Sequence, residues 1–126
     1  MTNLEVVAPP GVSPAAPFSL GIKAGGFLFV AGQTAREGGV GDIPEGIAAQ
    51  TRVCLDNLKR IVEQAGASMD RVAKTTVFLT DMGNFWEMNA VYKTFFPNVA
   101  PTRTCVAVKA LPRPEFLVEI EGIVLL

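Results

Sequence analysis

The chain contains no histidine, which removes the most common general base, a leading metal ligand and every Ser-His or Cys-His nucleophile pair. Chemistry here has to come from carboxylate, guanidinium, backbone or water. Cysteine is scarce: of the 2 present, Cys54 falls in a helical pattern and Cys105 in a strand pattern, matching neither a disulfide framework nor a zinc-ligand set. Both read as small core residues, and no metal is expected. Clustered positive charge is missing as well. The net charge is −1 and the 11 Lys and Arg are scattered, which disfavours a nucleic-acid groove. No apolar run approaches the roughly 20 residues that span a bilayer, so no membrane partner is expected. No Lys or Arg precedes Lys23, so the positive region of a signal or transit peptide is absent and a cytoplasmic protein is expected.

Apolar residues, by contrast, are plentiful. They make up 49% of 126 residues, enough for the core of one domain spanning 1–126. With a positive mean hydropathy, the excess is expected to be buried between subunits. Residues 1–16 carry Pro9, Pro10 and Pro14 and read as an irregular arm. Two extended runs joined at Ala24-Gly25-Gly26 signal a hairpin. Asp42-Ile-Pro-Glu45 reads as a helix start, after which Ile47, Thr51, Cys54, Leu55, Leu58, Ile61, Val62 and Ala65 recur at steps of three and four. Val72 to Leu79 reads as a central strand, apolar on both faces. Asn84 to Glu87 has capping-box spacing and opens a second helix with Phe85, Met88, Tyr92, Phe95 and Phe96 on its apolar side. Two C-terminal strands complete the order β-β-α-β-α-β-β, an α+β arrangement with two helices on one face of a mixed sheet.

Within those last strands sit two charges. Arg103 lies in Pro101-Thr-Arg-Thr-Cys-Val-Ala-Val108 and Glu119 in Phe116-Leu-Val-Glu-Ile-Glu-Gly-Ile-Val124. Alternation groups Arg103 with Cys105 and Ala107, and Glu119 with Leu117, Glu121 and Ile123. If the segments are neighbours, a cation and a carboxylate meet in an apolar setting, as a ligand site, or else they form a structural ion pair or a solvent-facing edge.

Beyond periodicity, the chain resembles the RidA/YjgF family of enamine and imine deaminases. The resemblance rests on Phe29-Val-Ala-Gly-Gln33, Gln50, Leu55-Asp-Asn-Leu58, Lys74-Thr-Thr-Val-Phe-Leu79, Asn89, Tyr92, Pro101-Thr-Arg103, Cys105 and Val118-Glu-Ile-Glu121. It implies a chorismate-mutase-like fold and a homotrimer with clefts between subunits. It also implies that Arg103 binds the substrate and Glu119 positions water, with Phe18, Ala31, Gly32, Asn89 and Cys105 lining the cleft. Cys105 would contribute backbone rather than a nucleophile. The family usually has Pro-Tyr-Ser-Gln-Ala where this chain has Pro17-Phe-Ser-Leu-Gly21, and Ser-Gly-Gln where it has Ala31-Gly-Gln33. Hydroxyls at Phe18 and Ala31 are thereby missing, and specificity is expected to move toward apolar substrates.

The activity implied is hydrolysis of a 2-imino or 2-enamino acid to a 2-keto acid and ammonia, with no cofactor, metal or covalent intermediate. The alternative is a trimer that binds an imino- or keto-acid carboxylate without turning it over, as a metabolite-responsive or chaperone-like partner.

Overall fold

The computed structural model describes residues 3–126. Six strands form one sheet in the order β1-β2-β3-β6-β4-β5: β1 Glu5–Val7, β2 Gly21–Ala24, β3 Phe27–Gln33, β4 Val72–Leu79, β5 Thr102–Ala107 and β6 Val118–Leu125. Every pairing is antiparallel except β4 with β5. The helices are α1, Ile47–Gln64, and α2, Phe85–Tyr92. The α1 helix packs on β3 and β6, and α2 packs on α1. This mixed α+β arrangement carries one strand more than the expected order.

That strand is β1, and it corrects the reading of 1–16 as wholly irregular. Prolines begin only at Pro9, so residues 5–7 keep the N–H groups that pairing needs. Val7 is buried, and Glu5 reaches Lys23 Nζ at 3.3 Å across the pair. The β2–β3 hairpin forms as expected. Its two turn residues, Gly25 and Gly26, have φ of 59° and 85°, the left-handed pair of a type I′ turn.

Both helix starts differ from expectation. The α1 helix begins at Ile47 rather than at Asp42. Gln50 explains the delay, because its side-chain amide donates to the Pro44 carbonyl at 3.0 Å and holds that segment in a non-helical approach. Its expected stripe is intact and buried from Ile47 to Ala65. Before α2, Asp81 rather than Asn84 supplies the cap, its carboxylate accepting from Gly83 N at 2.8 Å, and a short 3-10 turn at Met82–Asn84 leads into the helix.

Side chains of β3, β4 and β6 that point toward the helices build the core: Leu28, Val30, Val77, Leu79, Val118, Ile120 and Val124 are all buried. The β4 strand is central, as expected. The opposite sheet face is uncovered and carries several apolar side chains. Phe29 and Leu125 are 45% and 46% exposed there, alongside Val6, Phe27 and Val106. Among the described residues, no helix is long and apolar enough to cross a membrane.

Candidate functional site

The expected site residues separate into two groups. Arg103 pairs in register with Thr75, and Glu119 with Phe78, on either side of β4. Two strand spacings therefore intervene, roughly 10 Å. The two side chains also leave opposite sheet faces: Arg103 meets α2, whereas Glu119 alternates with the buried, helix-facing Val118 and Ile120. Among the described residues they form no ion pair. The structural ion pair left open by the sequence is thereby removed within one chain.

Around Arg103, α2 builds a cradle. The guanidinium lies 4.8 Å from the Tyr92 ring centroid and 5.4 Å from that of Phe85, positions that attract a cation to a ring face. Nη1 donates to Asn89 Oδ1 at 2.7 Å. Residues 85, 89 and 92 recur at helical spacing, so one turn and its successor present both rings and the amide together. Tyr92 is itself fixed by a 2.6 Å bond to the Thr75 hydroxyl. The aromatic stripe of α2 therefore serves the Arg103 cradle as well as the core. Arg103 is half-buried and oriented, and among the described residues its side-chain hydrogen-bond partners are neutral, the Asn89 amide and, at 3.9 Å, the Met88 sulfur. Cys105 lies on the same face two residues on; burial pushes its thiol pKa up, against a smaller lowering by Arg103. A protonated thiol of this kind is a poor nucleophile.

The second group lines a cleft of about 590 Å³ in which Phe18, Ala31, Gly32 and Glu119 come together. Pairing of β3 with β6 slips between Val30 and Gln33, and this bulge brings the backbone of Gly32 against the Glu119 side chain. A Cβ at position 32 would fall 2.8 Å from Glu119 Cδ, so only glycine leaves that carboxylate its place. Burial raises the Glu119 pKa above the ordinary glutamate value, and the nearby Glu121 raises it further.

The sign of that shift yields a prediction. A base must be ionised, so any activity that uses Glu119 as its base is expected to be full above the raised pKa and to fall as pH drops through it. Stability runs the other way. With the folded pKa above the unfolded one, Glu119 contributes stability that is present below the unfolded value and lost as pH rises through the folded value. Glu121→Gln removes one cause of the shift and is expected to move the acid limb of a kcat/KM profile to lower pH. An unmoved limb would assign it to another group.

Two α1 amides not singled out as site residues frame the cleft. Gln50 accepts from Leu117 N at 2.8 Å and donates to the Glu115 and Pro44 carbonyls, pinning the approach to Glu119. Asn57 donates to the Thr34 and Arg36 carbonyls and accepts from Gly38 N, pinning the chain beyond Gly32. Both are buried, and both lie on the helix's inner side seven residues apart. Polar side chains breaking an apolar stripe were the available signal. For Gln50→Ala we expect a loss of about 3 kcal/mol in denaturant unfolding, since buried backbone groups are left without partners. A loss under about 0.5 kcal/mol would mean that water replaces the amide. No group of three or more Cys, Asp or Glu among the described residues is arranged to hold a metal ion.

A family model described as Endoribonuclease L-PSP matches residues 9–126. The chain belongs to this RidA/YjgF family. Among RidA/YjgF relatives, a RutC family protein of Pyrococcus horikoshii is 47% identical over 111 residues, 87% of each chain. The 2-iminobutanoate/2-iminopropanoate deaminase of Escherichia coli K12 is 40% identical over 116 residues, 88% of this chain and 90% of that one. In three dimensions, Escherichia coli TdcF with bound serine superposes with a TM-score of 0.90 at 35% identity, covering 96% and 98% of the two chains. The RidA/YjgF fold is thus shared over 96% of this chain.

Proposed function

We propose that this protein hydrolyses 2-imino and 2-enamino acids to 2-keto acids and ammonia. The observation that carries the reading is Arg103, a guanidinium oriented between Phe85 and Tyr92 with no carboxylate partner among the described residues. Such a group is prepared to receive a substrate carboxylate by paired, charge-assisted hydrogen bonds. The deaminase relative at 40% identity supports the same chemistry.

Because Arg103 and Glu119 leave opposite faces of one sheet, a site that uses both takes them from two copies. We place that site between subunits of a homotrimer, which would also cover the exposed Phe27, Phe29, Val106 and Leu125. Light scattering is expected to give the trimer mass; a monomer mass at micromolar concentration refutes it.

In this site Arg103 of one copy holds the carboxylate, Asn89 and Cys105 beside it shape the pocket, and Glu119 of the next faces the C=N carbon. Water attacks that carbon while Glu119 accepts its proton, giving a carbinolamine. Glu119 returns the proton to nitrogen, the C–N bond breaks, and the hydroxyl proton is lost as the keto acid forms and ammonia departs. The iminium is already electrophilic, so proton transfer and positioning suffice. Net charge −1 and 11 dispersed basic residues weigh against RNA as substrate.

A binding-only reading draws on Phe18 and Ala31, which offer no side-chain donor. Ammonia release from freshly generated imine decides between them. Acceleration over buffer is expected; its absence, with carboxylate binding retained, leaves the binding protein.

A further inference from the structure

We propose that the cleft beside Glu119 is a side-chain subsite that selects imines bearing a branched or aromatic apolar group. This rests on the deaminase reading and names its substrate class. The cleft measures about 590 Å³, inside the roughly 300–1,000 Å³ range of pockets that enclose whole ligands. The methyl group of iminopropanoate would occupy a small corner of it. Much of its wall is apolar: Val12 and Pro14 from the arm, Phe18 and Leu20 from the approach to β2, Ile61 from α1 and Phe116 from the approach to β6. Phe18 is 48% exposed, an aromatic side chain lining the same cleft as Glu119.

Three guanidiniums also line the cleft, and their engagement argues against an acidic side chain. Arg36 donates to the Gly41 and Val40 carbonyls, Arg60 to Asn57 and Glu37, and Arg113 to Glu115. Each is held by the protein itself. What the cleft offers freely is apolar surface, where each further methylene buried contributes about fourfold to affinity. An isobutyl group adds three carbons to a methyl, so a preference of at least about tenfold is expected even with part of the gain lost to ordering.

The test generates imines in place with amino-acid oxidases and catalase and follows their decay with and without the protein. The leucine and phenylalanine imines are expected to show kcat/KM at least about tenfold above iminopropanoate, with the glutamate imine lowest. Equal or faster hydrolysis of iminopropanoate overturns the subsite. Ala15→Trp, on the exposed arm lining the cleft, fills the space without touching the core. It is expected to bring the leucine-to-alanine ratio toward one, and an unchanged ratio overturns the proposal. Should no imine be accelerated, the deaminase reading falls and the subsite is decided by calorimetry. Tighter binding of 4-methyl-2-oxopentanoate than of pyruvate sustains it, and equal binding removes it.

Discussion

Replacing Glu119 with Gln is expected to leave the fold and carboxylate binding intact while slowing imine hydrolysis by about 10²- to 10⁴-fold, the usual worth of a positioned general base. The amide keeps the shape that fits beneath Gly32 but cannot accept the proton of attacking water. Because burial and Glu121 already favour the neutral form of this side chain, the uncharged replacement is expected to cost no stability at neutral pH. It should also erase the acid limb of the pH profile. The decisive reading is kcat at saturating imine beside calorimetric affinity for the keto-acid product. Full turnover with collapsed affinity would make Glu119 a binding group instead.

Arg103→Lys is expected to lower kcat/KM by about ten- to a hundredfold although the charge is kept. An ammonium cannot give the paired planar donors a carboxylate accepts, and it loses the planar guanidinium's contact with the Phe85 and Tyr92 rings. The loss should fall mainly in KM, with thermal stability nearly unchanged because, among the described residues, no carboxylate pairs with the guanidinium. An unaltered kcat/KM would remove Arg103 from the site.

Much of this architecture is legible in the amino-acid order because periodicity records burial. The α1 stripe from Ile47 to Ala65 and the central position of β4 follow from where apolar residues recur. Short elements leave no such record: Glu5–Val7 is three residues long and shows a strand only through its partner. The helix starts lie elsewhere than the sequence pattern indicates because side-chain bonding decides them, Gln50 to Pro44 before α1 and Asp81 to Gly83 before α2. Arg103 and Glu119 could be singled out as charges in apolar strands, but not their relation. Which face each leaves depends on register across β4, a long-range fact that neither segment contains. The Phe85–Asn89–Tyr92 cradle is hidden for a different reason, since rings at helical spacing serve a core and a cation equally well.

The placement of Arg103 and Glu119 on opposite faces of one sheet has a genetic consequence. If each site draws its guanidinium from one copy and its carboxylate from the next, two alleles that are each null can rescue one another. Arg103→Ala chains still donate an intact Glu119, and Glu119→Gln chains an intact Arg103. In a cell expressing both equally, random assembly restores about a quarter of the sites. A double substitution in one allele, paired equally with wild type, would leave about a quarter of the sites active and poison the rest.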